Sequence, residues 1–220
     1  MSQLYNDRGN LAIGFHGCTK DVAMKLISNP ADIKLSENDY DWLGSGFYIW
    51  ENNLERAREW AIDTHGENGA VVGVVYELGT CLDLMDSCCI DLVKAARIDF
   101  EELMASLELP LPVNRDIKND LHKDKILRNY DCAVINHLTR TTDAAYAEDV
   151  KSQGFSQTQV FDSVRGCFWE GGKIDNMEIY EKTHIQIAIR NVNCIRGIFL
   201  PREEIFFPQS LMEQQEVKDA

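Results

Sequence analysis

The chain has 220 residues, with 22 lysines and arginines against 36 aspartates and glutamates, and its formal net charge is −14. This length predicts one domain, 1–220, with room for an insertion, and the negative charge opposes long-range attraction to nucleic acid and to anionic membranes. No apolar run approaches the roughly 18 residues that span a bilayer, and the polar N-terminus lacks the layout of a signal peptide, so we expect a cytoplasmic protein without membrane contact.

The cysteines and histidines exclude the common metal and disulfide frameworks. There are seven cysteines, including the adjacent pair Cys88 and Cys89, but no CxxC spacing. An odd number of cysteines without that spacing predicts reduced, mostly buried thiols. The five histidines form no HxxxH pair, so we expect no metal centre.

The first part of the chain alternates between strand and helix patterns. The predicted strands are LAIGFHG (11–17), FYIW (47–50) and AVVGVVYEL (70–78). A helix is predicted to begin at its cap Thr19 and to end just before Pro30. Another is predicted over 52–66, capped near Asn52 or Asn53 and ended by Gly66. The predicted inward side of the second helix consists of Leu54, Ala57, Ala61 and Ile62.

A helical middle separates these strands from a second group. Helical patterns cover 90–109 and 118–140, within a predicted insertion at about 87–140, and 141–159 is interpreted as a surface connection. Strand patterns return in VFDSVRGCFWEG (160–171), THIQIAIRN (183–191) and CIRGIFLP (194–201). Strands at both ends of a helical middle predict an α+β fold.

Three predicted strands carry polar residues that their apolar pattern does not require. His16 lies at the end of the first strand, Tyr48 lies on the second beside Gly46, and Gln186 lies within THIQIAIRN. Because side chains alternate along a strand, Gln186 faces away from Ile185 and the other isoleucines of its strand. Taken singly, each has an ordinary explanation, as a hydrogen-bonded histidine, a core tyrosine and a solvent-facing glutamine.

The order of these residues resembles the His-Tyr-Glu class of ADP-ribosyltransferases, which includes diphtheria toxin and the poly(ADP-ribose) polymerases. GFHG followed by WLGSGFYIW is similar to the two opening strands of that class, and THIQIAIRN is similar to its late strand. The resemblance covers about residues 10–78 and 159–200 and extends to uncharacterised bacterial members, several of them toxin-like. It implies a split β-sheet core that carries the helical insertion.

The resemblance implies that NAD binds as a substrate between the first two strands. By this likeness the Gly17 backbone bonds the nicotinamide carboxamide, since a residue without Cβ allows close approach. His16 bonds a ribose hydroxyl, and Tyr48 stacks on the cationic nicotinamide ring. Further implied NAD contacts are Cys18, Gly46, Trp60 as a second aromatic one residue later than in the family, and Arg165 at a phosphate, with Arg190 and Lys20 as rivals.

The chain departs from the family at the third member of the triad, where Gln186 replaces the glutamate. Cleavage of the nicotinamide–ribose bond passes through an oxocarbenium-like state that a nearby anion stabilises, and a glutamine carries no charge. We expect the loss of the carboxylate to slow bond cleavage by about one to two orders of magnitude. Either Glu178 or Glu181 supplies the charge, or the protein is a slow mono-ADP-ribosyltransferase, and elongation to a polymer is not expected.

Three functions follow from the resemblance and stay open at this point. The first is a mono-ADP-ribosyltransferase, a bacterial toxin or phage-defence effector that modifies a protein or a nucleic acid, with an antitoxin protein as a candidate partner. The second is an NAD glycohydrolase on the same fold, and the third is a module that binds NAD or a partner without catalysis. In the family the loop before the late strand recognises the target, which here implicates Trp169, Tyr180, Lys182 and His184.

Overall fold

A computed structural model describes residues 10–118 and 120–203 and shows a mixed α+β architecture. The helices are α1 (Lys20–Ser28), α2 (Leu54–His65), α3 (Ser87–Ser106) and α4 (Asn129–Gln153). The strands are β1 (Ala12–Thr19), β2 (Phe47–Glu51), β3 (Gly69–Tyr76), β4 (Cys81–Asp83), β5 (Asn114–Arg115), β6 (Leu127–Arg128), β7 (Ser163–Phe168), β8 (His184–Ile189) and β9 (Ile195–Phe199). The α+β prediction is confirmed at this level.

Seven of the strands form one sheet in the order β4-β7-β8-β2-β1-β3-β9. β4 and β7 are parallel, and the other neighbours in the sheet are antiparallel. β5 and β6 form a separate two-stranded sheet. The late strand β8 therefore lies directly beside β2, although more than 130 residues separate them along the chain.

The sheet packs on both of its faces. One cluster of buried residues includes Leu26 of α1, Val72 of β3, and Ile187 and Ile189 of β8. A second cluster includes Ile135 of α4 and Ala188 of β8, with parts of α3 packed against it. The isoleucines and Ala188 thus point to opposite faces, and the predicted alternation along this strand is confirmed.

The predicted helix ends of α1 and α2 are confirmed. The Thr19 side chain accepts a hydrogen bond from the backbone N–H of Val22, and the Asn53 side chain accepts one from Arg56. These bonds satisfy backbone donors that have no partner within the first turn of a helix. α2 ends before Gly66, whose φ of 56° suits a residue without Cβ.

The inward side of α2 was predicted only in part. Ala57 and Ala61 are buried and Leu54 is half-buried, but Ile62 is 61% exposed, so its assignment to the core is wrong. Arg56 is buried in its place, at 8% exposure. A charged side chain takes this position because the half-buried carboxylate of Glu170 binds it, which apolar spacing does not reveal.

The insertion differs from its prediction at two places. Residues 120–126 do not form a helix, because Asp120 accepts hydrogen bonds from three backbone N–H groups that a helix would use. α4 continues through residues 141–153, which the sequence indicated as a surface connection. Gly154 ends it with a φ of 81°, in the left-handed region.

The sheet also contains an edge strand that the sequence pattern does not predict. β4 has three residues and pairs with β7, which places Asp83 opposite Arg165. So short a segment has too few residues to show alternation. In the described part of the chain, no helix has the length and apolar character that a membrane span requires.

Candidate functional site

β1 and β2 lie side by side in the sheet, but they separate after a short pairing. β1 and β2 are paired at two positions, Gly14 with Glu51 and Phe15 with Trp50. From there β1 continues along β3 and β2 continues along β8. This fork leaves a gap in the backbone ladder, which side chains and a cleft occupy.

A cleft of about 510 Å³ opens at the fork. His16, Tyr48 and Gln186 all line it, as do Gly17, Gly46 and Trp60. The structure therefore brings together residues that lie at opposite ends of the sequence. Among the described residues no group of histidines, cysteines and carboxylates is arranged to hold a metal ion.

His16 bridges the two strands beyond the fork. Its Nδ1 lies 2.8 Å from the backbone carbonyl oxygen of Tyr48, and since a carbonyl only accepts, Nδ1 carries the proton and Nε2 is an acceptor. The ring stacks on Phe47 at 4.3 Å. Burial lowers the pKa of His16, against the opposing effect of the bond to Tyr48, so the imidazole is neutral at pH 7.

Gly17 allows Trp60 to reach the strand. A Cβ at this position would lie 2.8 Å from Trp60 Cε3 and 2.9 Å from the carbonyl oxygen of Ala57. Gly46 is similarly close to β8, because a Cβ there would lie 2.9 Å from the Cβ of Ala188. The missing side chains thus let an aromatic ring and a neighbouring strand approach the backbone of the cleft.

Tyr48 presents its ring to the cleft and fixes its hydroxyl locally. The hydroxyl donates to the carbonyl oxygen of Gly44 at 2.8 Å and accepts from the N–H of Leu43 at 2.9 Å. Burial, and after it the charge of Asp41, raises the pKa of Tyr48 well above its usual value. The phenol therefore stays protonated and serves as a positioned ring rather than as a proton donor to a substrate.

Gln186 is oriented by a tryptophan. Its Oε1 accepts a hydrogen bond from Trp42 Nε1 at 2.6 Å, which assigns the carbonyl side of the amide to the indole. Gly166 lies opposite Gln186 on β7 and makes room for the ring, since a Cβ there would lie 2.6 Å from Trp42 Cη2. The amide NH2 group of Gln186 is left to donate hydrogen bonds in the cleft.

Two of the implied NAD contacts lie outside the cleft lining. The Cys18 side chain is buried in the core, where burial raises the pKa of its thiol to about 11. Arg165 binds Glu51 at 2.6 Å and Asp83 at 2.9 Å on the β4 side of the sheet. The structure thus places Cys18 as a core thiol and Arg165 in an ion-pair network, because neighbouring strands supply its carboxylates.

The rival cations Arg190 and Lys20 are also absent from the described lining. Arg190 binds Asp143 at 2.6 Å, and Lys20 is exposed at the start of α1. Instead, Lys34 and Arg56 line the cleft. Arg56 is held by both carboxylate oxygens of Glu170, at 2.6 and 2.5 Å, whereas Lys34 is exposed and has no ion pair with the described residues.

The carboxylates that line the cleft differ from Glu178 and Glu181, the two that the sequence analysis named as sources of negative charge. Glu178 binds Lys173 on the surface, and neither it nor Glu181 is part of the described lining. The cleft is lined instead by Asp41, Asp63 and Glu170. The Asp41 side chain accepts hydrogen bonds from Ser36 and Asn38, while burial raises the pKa of its carboxyl.

His184 lies on the wall of the cleft near Gln186, as strand alternation places residues two apart on one face. Its Nδ1 is 2.6 Å from the carbonyl oxygen of Lys182, so Nδ1 donates and Nε2 is free to accept. Its ring stacks on Phe168 at 5.6 Å. Burial lowers the pKa of His184, and the charge of Arg56 lowers it further.

Sequence reasoning missed the contribution of the insertion to this site. Ile117 and Ile126, on the irregular segment between α3 and α4, line the cleft. The guanidinium of Arg128 lies 4.0 Å from the ring centre of Phe168 and 5.5 Å from that of Trp42. The apolar spacing of 118–140 predicted a helix and so did not mark this segment as an irregular wall of the site. Its density of aspartates, lysines and isoleucines was the one available signal.

Comparisons with models of known families, with curated proteins and with solved structures find no match to this chain.

Proposed function

We propose that the protein is an NAD-dependent mono-ADP-ribosyltransferase. The observation that carries the proposal is the convergence of His16, Tyr48 and Gln186 on one cleft at the fork of β1 and β2. The order and types of these residues match the triad of the family that the sequence resembles, with glutamine in place of glutamate. Three residues so far apart in the chain would not be expected to share a cleft if the likeness were accidental.

The cleft has features that suit a flat cationic ring. Tyr48 and Trp60 both line it, and the absence of a Cβ at Gly17 lets the ring of Trp60 lie against the β1 backbone. In the proposal the Gly17 backbone bonds the carboxamide. Aromatic faces attract cations such as oxidised nicotinamide. In the proposal Nε2 of His16 accepts a hydrogen bond from a ribose hydroxyl, and Lys34, the unpaired cation of the described lining, meets a phosphate.

The proposed reaction exchanges one bond at the ribose. The C1′–N bond of NAD breaks, nicotinamide leaves with the electron pair, and a nucleophile of the acceptor bonds to C1′ while its proton passes to solvent. The amide of Gln186 donates to a ribose hydroxyl and holds the sugar in place. Positive charge develops on the ribose as the bond breaks, so a nearby anion lowers the barrier.

We assign this anionic role to Asp41. It lies close enough to Tyr48 to affect the pKa of the phenol, and the hydrogen bonds from Ser36 and Asn38 oppose the upward shift that burial gives the pKa of Asp41 itself. Because Asp41 is not at the position of the family's glutamate, it does not replace the role of that residue in elongating a polymer. We therefore propose that the protein transfers a single ADP-ribose unit to its acceptor at a modest rate.

The free cysteines are consistent with a reducing cellular compartment. All seven cysteines are free, and free thiols persist in the cytoplasm rather than in oxidising compartments. The proposed setting is the cytoplasm, where NAD and macromolecular acceptors are both present, as for a toxin or a phage-defence effector. An antitoxin partner belongs to the same proposal.

The test uses labelled NAD and a whole-cell extract that is then separated into protein, RNA and DNA. We expect label in one fraction and release of nicotinamide. Tyr48→Ala should lower transfer about tenfold or more by removing the stacking ring, while Tyr146→Ala, on the exposed side of α4, should not. Thermal unfolding of both variants checks that the fold is retained.

The other outcomes separate the alternatives. Free ADP-ribose without any labelled acceptor indicates an NAD glycohydrolase. Binding of a nicotinamide-like inhibitor without loss of NAD indicates a non-catalytic module. If NAD neither binds nor disappears, the proposal is wrong.

A further inference from the structure

The irregular segment of the insertion concentrates positive charge in an acidic protein. Residues 115–128 contain five lysines and arginines and three aspartates, whereas the whole chain has 22 basic and 36 acidic residues. Lys118, Lys123 and Lys125 are exposed and have no ion pair with the described residues. We call these three residues the loop lysines.

The aspartates of the segment bind the backbone rather than the lysines. Asp120 accepts from the N–H groups of residues 122–124, and Asp116 accepts from the N–H of Lys125 at 3.0 Å. Lys123 and Lys125 have φ angles of 56° and 50°, a left-handed backbone that these bonds hold in place. The local negative charge is thus committed to shaping the segment, and the ammonium groups face solvent.

The segment is fixed against the mouth of the cleft. The Asp124 side chain accepts a hydrogen bond from the N–H of Gly171 at 2.9 Å, next to the cleft residue Glu170. Ile117 and Ile126 line the cleft. Lys118 and Lys125 directly follow and precede these isoleucines in the chain, so their backbones lie beside the cleft lining.

Flat side chains adjoin this rim. The half-buried Arg128 covers the buried ring of Phe168, while Trp169, the next residue after Phe168, is 63% exposed and lies parallel to Tyr180 with 6.1 Å between ring centres. Unpaired nucleobases stack on exposed aromatic and guanidinium planes, and a basic track binds their backbone. An acidic peptide would use the charges but would not need the exposed ring of Trp169.

We propose that the acceptor is a single-stranded nucleic acid whose phosphates cross the loop lysines and whose base or sugar enters the cleft beside Gln186. This inference rests on the proposed function and names its acceptor class. A single strand is specified because the reacting atoms of a paired base are not accessible to a cleft. The overall negative charge of the protein confines binding to this one rim.

The first experiment measures binding and does not depend on catalysis. Fluorescence anisotropy follows a labelled 20-nucleotide strand of mixed sequence, as RNA and as DNA, between 50 and 200 mM salt, with the 20-base-pair duplex as comparison. The triple variant Lys118→Gln, Lys123→Gln, Lys125→Gln should bind at least about tenfold more weakly at low salt. Its slope of log affinity against log salt should be smaller by about 2, because each phosphate that a lysine neutralises on a single strand contributes about 0.7 to the slope.

The matched control is Lys25→Gln, Lys94→Gln, Lys151→Gln, which removes the same charge from α1, α3 and the end of α4. It should bind the strand as the wild type does. Equal weakening in both triple variants would mean that total charge governs binding and would overturn the proposal. Tighter binding of the duplex than of the single strand would also overturn it.

The second experiment measures transfer of label from NAD to the same strands and to extract protein, with NAD consumption followed in parallel. We expect labelled strands, and less transfer per NAD consumed in the loop-lysine variant. Label on protein, unchanged in that variant, would overturn the proposal while leaving the transferase function intact. No NAD consumption by the wild type would instead reject the transferase, and anisotropy alone would then decide whether this rim binds nucleic acid.

Discussion

Two walls of the cleft are built by different means. The strand wall carries His16, Tyr48 and Gln186, whose positions are set by backbone pairing of β1, β2 and β8. The insertion wall carries Ile117 and Ile126 and is shaped by aspartate side chains that bind backbone N–H groups. A register fixed by many backbone bonds holds atoms more rigidly than a loop held by a few side chains. The difference suggests that chemistry belongs to the first wall and acceptor choice to the second.

The largest loss of NAD turnover is expected from Gly17→Ala, a substitution on β1 in the strand wall. The new Cβ would meet Trp60 at 2.8 Å and the carbonyl oxygen of Ala57 at 2.9 Å, and a backbone atom cannot yield as a side chain can. Overpacking of this kind costs about 1–3 kcal/mol of unfolding free energy. Displacement of the ring by about 1 Å should lower NAD turnover about a hundredfold.

Gly197→Ala provides the control. A Cβ at this position on β9 meets no heavy atom within 4 Å of it among the residues described, so turnover and the unfolding midpoint should stay close to the wild type. Steady-state NAD consumption and thermal unfolding measure both variants. Full turnover in folded Gly17→Ala would show that the close approach of Trp60 is not part of the site.

The same contrast explains which features the sequence could predict. Alternation along β8 predicted that Gln186 faces away from the isoleucines, and backbone pairing then places it beside β2. The Trp42–Gln186 hydrogen bond was not predictable, because its two residues are 144 apart in the chain. It also depends on Gly166 of β7, which has no side chain where the Trp42 ring lies. The cap residues of α1 and α2 were visible because capping is local.

The insertion wall was mispredicted for a physical reason. Helical spacing of apolar residues in 118–128 competes with aspartates that capture nearby N–H groups, and here the aspartates prevail. The ion pairs of Arg56 and Arg165 were likewise hidden, since their partners Glu170 and Glu51 are 114 residues away in each case. Local patterns carry no information about such distant pairings.

A smaller loss of NAD turnover is expected at the strand wall when Gln186 loses the hydrogen bond that orients its amide. Trp42→Phe keeps an aromatic ring over Gly166 and removes the N–H that holds Oε1. A neutral hydrogen bond contributes about 1 kcal/mol, so NAD turnover should fall about five- to tenfold. Gln186→Glu should preserve or raise turnover, because a carboxylate accepts the same indole bond and adds charge.

The double variant Trp42→Phe, Gln186→Glu completes a cycle that measures the coupling of the two residues. The indole bond to a carboxylate is charge-assisted, so loss of Trp42 should cost more in the Gln186→Glu background than in the wild type. Additive effects would indicate that Trp42 acts through packing alone. A hundredfold loss of turnover in folded Gln186→Glu would place the glutamine outside the catalytic centre.

The smallest effect on turnover is expected at the insertion wall, from Asp120→Ala. The change removes the acceptor for the N–H groups of His122, Lys123 and Asp124, which lie 3.0 to 3.1 Å from its oxygens. Amide exchange at these residues should accelerate about fivefold, since each bond contributes about 1 kcal/mol to local order. Asp120→Asn retains one carbonyl acceptor and should show an intermediate exchange rate. Because the strand wall is held separately, NAD turnover should change less than about threefold, and a loss as large as that of Gly17→Ala would mean that the two walls act as one unit.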